Sequence, residues 1–384
     1  NFFEEKVERI RASIDASLVP TVTPPHVLHG HPLHALRHAS EEEVRKVIAS
    51  APNKHSAIDP VPTWLLKLCL QPLLPLITMI VNQSLSSGQV PNTFKVAYIT
   101  PLLKKPSLDE SVLSNYRPIS NLPFLSKVLE KVVNARLNEY MEEQGCQELF
   151  QSAYRKGHST ETALLRVHSD ILLALSEKRA CLMLLLDLTA AFDTVDHSAL
   201  IDTLAAIGIR NTALEWFQSY LSDRYQCVTI GTHHSEPKPL KSGIPQGSVL
   251  GPVLFSLYTS SLGKLIQAHS LSYHFYADDT SIYVTFETSQ FAEAVARMQR
   301  CAEDVRCWMS LKKLKMNDHK TELLLVATKS VAARLQAPAG IPLLTVGETA
   351  VSPLPSVRYI GSFMDSHLNM EEHVNSICRT ARLH

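Results

Sequence analysis

No charge of either sign dominates this 384-residue chain: 37 Lys and Arg stand against 37 Asp and Glu, a formal net charge of +0. A chain-wide basic coat for a polyanion is therefore excluded, and any nucleic-acid partner has to be met by a local basic lining. Charged residues make up only 19% of the chain, below the roughly 25% of ordinary globular proteins. Hydrophobic residues reach 45%, enough to fold. Cysteine is sparse. The seven (Cys69, Cys146, Cys181, Cys227, Cys301, Cys307, Cys378) are scattered, with no Cys-x-x-Cys pair. An odd count at wide spacing argues against a disulfide framework or a zinc site and for reduced intracellular thiols. Long apolar runs are missing too. The longest, Leu68 to Val81, has 14 residues and includes Gln71, Pro72 and Pro75. A membrane span needs about 20, so this stretch reads as a core helix. No signal peptide and no internal repeat is visible in these residues. The chain begins at Asn1 without a methionine and stops at His384 inside a helical pattern, so a fragment of a longer polypeptide is expected. His29, His31, His34 and His38 crowd a segment marked by Pro20, Pro24, Pro25 and Pro32. No Cys or acidic ligand accompanies them, which makes the segment a solvated linker.

What is present centres on Phe275-Tyr276-Ala277-Asp278-Asp279. Leu271 to His274 before it and Thr280 to Thr285 after it carry the β-branched and aromatic residues of strands. The spacing predicts a β-hairpin with Asp278 and Asp279 at its tip. Alone, an Asp-Asp pair is most often a solvated turn. In a cleft, two neighbouring anions repel and lose hydration. A hard divalent cation such as Mg²⁺ relieves both, taking carboxylate oxygens and leaving positions for substrate phosphates.

A third carboxylate is available. Cys181 to Leu186 is a continuous apolar run of strand length, which implies a strand buried on both faces. It ends at Asp187, and a charge at that place is costly unless it is paired or binds metal. Alone, Asp187 reads as a strand-end cap. Beside Asp278 on a neighbouring strand, it would let two divalent ions bind about 3.5–4 Å apart and support phosphoryl transfer. Phe192, five residues on, suits either a core aromatic or a ring against a nucleotide sugar. Gln246 and Gly247, in the tight turn Ser242–Ser248, suit an ordinary turn or a close backbone approach to a ligand. Arg117, Arg155 and Lys320 are either surface cations or phosphate contacts, with Lys320 placed to neutralise a leaving pyrophosphate.

Helices are expected from Phe2 to Leu18, after Ser40 with a Ser40/Glu43 capping box, from Thr63 as a cap to Gly88, over Leu125–Met141, from Thr160 to Glu177, and over His197–Ile207. Further helices are expected over Thr212–Leu221 behind an Asn211 cap, over Val249–Leu262, and over Gln290–Met309. Strands are expected at Lys95–Leu103, Tyr225–Ile230 with Pro239–Lys241, Thr321–Ala327 and Pro355–Phe363. Phe150 to His158 reads as a basic loop.

The ordered set Asn115 to Ser120, Asp187 to Asp193, Ser242 to Gly247 with Leu250-Gly251-Pro252, Tyr276 to Asp279, Asn317 to Glu322 and Val357 to Gly361 resembles the reverse transcriptases of non-LTR (LINE-type) retrotransposons. The resemblance covers about residues 55–384. It implies an α+β right-hand polymerase with palm and fingers and with the thumb largely missing. It implies Asp187, Asp278 and Asp279 as catalytic and metal-binding carboxylates. Phe192 would be a sugar gate, Gln246 and Gly247 nucleotide and template contacts, Arg117 a triphosphate contact, and Val357–Gly361 a primer grip. The implied cofactor is Mg²⁺, two ions, with Mn²⁺ as a substitute. The implied partners are an RNA template, a DNA primer or target and dNTPs, without a membrane, at an intracellular site, cytoplasmic or nuclear. The regions expected are 1–54, N-terminal helices and a Pro/His-rich linker; 55–180, fingers leading into palm; 181–345, palm; and 346–384, primer grip and the start of a truncated thumb. Lys104, Lys105, Lys127 and Lys156 join the arginines as phosphate contacts, a salt-sensitive mode. Ala153-Tyr154-Arg155 stands where the family often has Gly-Phe-Arg, and Lys312 where Asn is common. Family polyproteins usually carry an endonuclease domain upstream, and these 384 residues hold no stretch that resembles one. Two other readings stay open: a palm polymerase that makes RNA, and a decayed or co-opted copy that binds nucleic acid without catalysis.

Overall fold

The computed structural model describes residues 2–14, 30–53, 58–335 and 344–382. Residues 15–18 of the expected first helix, Pro20, Pro24, Pro25 and His29 lie outside the described residues. The chain forms two compact units. One takes the described residues within 1–9, 26–147 and 192–258, the other those within 10–25, 148–191 and 259–384.

The second unit is built on the apolar run. Ala180–Leu186 is a strand with all seven residues buried, as its unbroken hydrophobicity predicts. It lies in the middle of a five-stranded sheet ordered Pro353–Leu354, Glu322–Val326, Ala180–Leu186, Asp279–Phe286, Ser272–Tyr276. It runs antiparallel to both neighbours, with Met183 opposite Tyr283 and Leu324. Alternation splits its side chains between two faces. Cys181, Met183 and Leu185 pack with Val167 and Ile171 of the helix Thr160–Ser176 and with Val357, Tyr359 and Met364. The long helix Phe291–Leu311 packs on the neighbouring strand Asp279–Phe286, with Phe291 stacked on Phe286. Each large side chain so buried contributes about 1.5–3 kcal/mol, so the strand that leads into Asp187 is firmly held. The expected terminal strand is a separate hairpin, Ser356–Tyr359 with Ser362–Asp365.

The first unit has its own sheet, ordered Tyr116–Asn121, Val96–Leu103, Tyr225–Ile230, His233–His234. Lys238–Pro239 joins Tyr225–Ile230 from the side, so the expected strand pair forms but ends at Pro239, where the sequence suggested Pro239–Lys241. The helix Phe124–Gln144 buries Val128, Leu129, Val132, Leu137, Tyr140 and Met141 and ends at Gly145 in a left-handed C-cap. The helix Leu70–Ser87 is core on one side and leaves Leu76 and Met79 exposed on the other.

Four local expectations need correction. Ser40 does cap its helix, but Glu43 does not reach back to it. The Glu43 carboxylate is taken by Arg136 in a two-pronged pair at 2.5 and 2.6 Å. Thr63 is the first helical residue and Pro62 the N-cap, without a side-chain hydrogen bond. Likewise, Asn211 opens its helix and Arg210 is the cap. The expected helix Val249–Leu262 starts only at Gly251 and divides into Gly251–Thr259 and Ser261–Ala268. The Val249 and Leu250 amides are already taken by the Glu130 carboxylate, at 2.7 and 3.1 Å. His31, His34 and His38 are exposed, as expected of solvated histidines. Their segment is nevertheless strapped down, with Leu33 bridging to Ile209 and the His34 carbonyl accepting from Ala213 N.

Candidate active site

Ser272–Tyr276 and Asp279–Phe286 form the hairpin the sequence predicts, with a shorter loop. Tyr276 pairs with Asp279, leaving only Ala277 and Asp278 in the turn. Ala277 has φ +59°, whereas Asp278 does not have a positive φ. That order fits a two-residue loop whose first position normally takes glycine, so an alanine there is held against its preference.

Asp187 lies one residue past the central strand. The antiparallel register pairs Leu186 with Thr280, and continuing it by one sets Asp187 across from Asp279. The segment after the long helix returns along this edge. Asn317 N donates to the Asp187 carbonyl at 2.9 Å, and Thr189 N to the Lys315 carbonyl at 2.9 Å. Asp187 Oδ2 accepts from Asn317 Nδ2 and from Lys320 Nζ, each at 3.2 Å. Lys320 thus pairs with Asp187, while Asn317 was not singled out from sequence.

The two hairpin carboxylates feel their acidic neighbours. Asp279 is pushed up to about 6, first by partial burial, then by Asp278 and Asp187. Asp278 is raised by burial and by Asp187. An open cleft of about 600 Å³ adjoins them, with Asp187, Asp279, His319, Lys320, Glu322 and Arg358 on its walls. Tyr359, two residues of the terminal hairpin away from Val357, is buried beneath and meets Ser281 Oγ at 3.1 Å. Among the described residues no group of three or more His, Cys, Asp or Glu side chains forms a ready-made metal cage. The donors present still suit one kind of ion. They are hard carboxylate oxygens whose charges oppose one another, and a divalent cation with substrate oxygens completing its shell would relieve that opposition.

The other expected residues belong to the first unit and gather around one turn. Gln246 Nε2 donates to Asp193 Oδ1 at 2.7 Å, and Gln246 O accepts from Ser120 N at 2.7 Å. Gly247 has φ +114°, and a Cβ there would stand 2.7 Å from the Ser120 carbonyl oxygen. Gly243 is equally tight, with an added Cβ 2.6 Å from Asp193 O. The close backbone approach that the Gly-rich turn suggests is therefore made, and its partners are the chain itself. Burial lifts Asp193 to about 6 against the opposing hydrogen bond from Gln246. The Phe192 ring is half-buried and stacks on Phe255, with centroids 4.6 Å apart. Arg117 is exposed on the strand that ends near Ser120. Behind the turn, buried Glu130 also accepts from the Tyr220 hydroxyl at 3.2 Å, and Arg224 lies over the Tyr220 ring at 4.9 Å.

Two basic residues are used otherwise than expected. Arg155 turns back onto its own segment, donating to the Glu148 and Leu149 carbonyls at 3.2 Å. Lys104 donates to the Ser114 carbonyl at 2.8 Å.

A solved structure titled "Structure of apo telomerase from Candida Tropicalis truncated from C-terminal domain" superposes with a TM-score of 0.50 at 13% identity. It covers 73% of this chain and 55% of that one. At that identity the likeness establishes the fold alone, the right-hand polymerase class. The reverse transcriptase (RNA-dependent DNA polymerase) family matches residues 103–362, and the chain belongs to it. One relative is the "Probable RNA-directed DNA polymerase from transposon BS" of Drosophila melanogaster, 30% identical over 344 residues. The match takes in 88% of this chain and 37% of that protein. The "RNA-directed DNA polymerase from mobile element jockey" of the same species is 25% identical over 347 residues, 89% of this chain and 37% of its own length. A protein of the type-1 retrotransposable element R1DM is 31% identical over 208 residues, 54% of this chain and 20% of that protein. The matched relatives place the chain in the LINE-type group of this family, and the family in general works with divalent cations. The chain spans somewhat over a third of the length of the first two relatives. None of its described helices is long and apolar enough to cross a membrane.

Proposed function

We propose that the chain extends a DNA 3′-hydroxyl with dNTPs on an RNA template, inside the cell, as the polymerase part of a LINE-type element. The observation that carries this reading is the gathering of three carboxylates, Asp187, Asp278 and Asp279, at one end of a buried sheet. Asp187 and Asp278 are the principal ligands for two Mg²⁺ ions, which Mn²⁺ can replace, and Asp279 completes the acidic patch. When bound, those ions would lower the pKa of the primer hydroxyl and neutralise the triphosphate. Lys320, 3.2 Å from Asp187, is the cation that neutralises the leaving pyrophosphate. Asn317 keeps Asp187 oriented throughout. Arg358, on the cleft wall, meets primer phosphate, with buried Tyr359 fixing its hairpin.

In the first unit, Arg117 contacts the triphosphate. Phe192 bars a 2′-hydroxyl by contact, its plane set by Phe255. Gln246 and Gly247 meet nucleotide and template. Residues 181–345 act as palm, 55–180 as fingers leading into it, and 346–384 as primer grip with the beginning of a thumb.

The test is primer extension with Mg²⁺ on RNA and on DNA templates, with dNTPs and separately with rNTPs. The reading expects extension with dNTPs on RNA and at least tenfold slower use of rNTPs. Preferred use of rNTPs would make the enzyme an RNA-synthesising palm polymerase. Nucleic-acid binding without extension would make it a binding protein.

A further inference from the structure

We propose that Gln151 is a positioning residue for the acidic hairpin: its side-chain amide holds the Ala277–Asp278 turn in its left-handed form and so aims the Asp278 carboxylate. The proposal rests on the reading of Asp278 as a ligating group.

Residues 150–152 sit within what the sequence suggests is a basic loop. Instead they run beside the hairpin, where Gln151 makes an isolated parallel β-bridge to Phe275. Phe275 N donates to the Phe150 carbonyl at 2.9 Å, and Ser152 N donates to the Phe275 carbonyl at 3.1 Å. From that rail Gln151 reaches the turn. Its Oε1 accepts from Ala277 N at 3.2 Å and from Ala153 N at 2.9 Å. Its Nε2 faces the Ala277 carbonyl at 3.5 Å. One side chain therefore meets both backbone groups of the residue whose φ is +59°.

The residue type follows from the task. Ala277 carries a Cβ in a conformation that only glycine takes freely. Something outside the turn has to hold it there. Holding an N–H and a C=O of one residue needs an acceptor and a donor side by side, which a primary amide supplies. Glutamate has no donor and lysine no acceptor. Gln151 is only 5% exposed, so water is not at hand to replace it. Below it, Ser152 Oγ meets His274 Nε2 at 2.9 Å, pinning the same rail to the hairpin's first strand.

The experiment compares the parent with Gln151→Met, which keeps the volume without hydrogen bonds, and with Gln151→Met combined with Ala277→Gly. Amide hydrogen exchange across Tyr276–Thr280 is the first readout. Exchange in Gln151→Met should be about tenfold faster than in the parent. The kcat should fall by about the same factor, with KM for dNTP within twofold. Glycine at 277 takes the left-handed form unaided, so the double variant should recover at least threefold in kcat and regain protection at Asp279. Ser152→Ala serves as a stability control. The proposal is overturned if Gln151→Met exchanges like the parent, if the added glycine recovers nothing, or if Ser152→Ala loses as much kcat for the same fall in Tm. Exchange needs no turnover. A parent that fails to extend primers would end the polymerase reading, while the exchange data would still decide the role of Gln151.

Discussion

Replacing Gly247 by alanine should damage the first unit far more than replacing Gly145, although both glycines have positive φ. Gly145 (φ +61°) closes a helix and faces open space, since nothing lies within 4 Å of an added Cβ. Gly145→Ala carries only the backbone cost of a left-handed alanine, about 1–2 kcal/mol. At Gly247 (φ +114°) the same atom would stand 2.7 Å from the Ser120 carbonyl oxygen. That neighbour is backbone in a paired strand and cannot swing away. Relief requires parting Gln246 from Ser120, joined by a 2.7 Å hydrogen bond, a loss of about 1 kcal/mol. With residual contact strain the total comes to about 3–5 kcal/mol. For a unit of this size, roughly 2–4 °C of Tm corresponds to each kcal/mol. Thermal melts followed by circular dichroism should therefore show a drop of roughly 8–15 °C for Gly247→Ala and under 8 °C for Gly145→Ala. Equal drops would show that the close approach to Ser120 is not what requires glycine, and the account of this turn would fail.

Three further outcomes follow from the same geometry. Burial raises Asp193 to about 6, above its unfolded value, so the folded state favours the protonated form. Its contribution is fully present below about pH 4 and is lost as pH climbs through 6. The stability difference between parent and Asp193→Asn should change across that window and be flat above pH 7 in urea titrations. Divalent ions must displace protons from Asp279, also near 6, and from raised Asp278. Mn²⁺ affinity, measured by calorimetry on the protein alone, should accordingly strengthen at least tenfold between pH 5 and 7.5; a flat profile would remove these carboxylates as ligands. Glu130→Ala leaves the buried Tyr220 hydroxyl and the Val249 and Leu250 amides without their acceptor and removes the negative charge near buried Arg224. About 3–5 kcal/mol of destabilisation is expected in urea unfolding, and a change under 1 kcal/mol would contradict it.

Much of the frame was legible in the residues. The run Cys181 to Leu186 can only be a strand covered on both sides, and it is. Aromatic and β-branched flanks mark the hairpin that lifts the Asp pair. The resemblance, rather than composition or periodicity, supplied the roles assigned to Phe192, Gln246, Gly247 and Arg117. What stayed hidden shares one cause, a partner far along the chain. Gln151 reaches Ala277 across 126 positions, and Asn317 reaches Asp187 across 130. Neither has a local pattern that announces it. The same holds for Glu130, which delays a helix 120 residues away, and for Arg136, which draws Glu43 out of its capping box. Local rules predict what neighbouring residues prefer, and these contacts are where tertiary structure overrides that preference.

The most direct test is the single-turnover rate of adding one dNTP to a DNA primer on RNA, for the parent and for Asp278→Asn. Asparagine keeps the shape of the turn and removes the charge that a divalent cation needs. The account predicts a rate at least a thousandfold lower, about 4 kcal/mol of lost transition-state stabilisation, with primer-template affinity unchanged. A variant that extends within tenfold of the parent would contradict the assignment of the hairpin carboxylates as the catalytic centre.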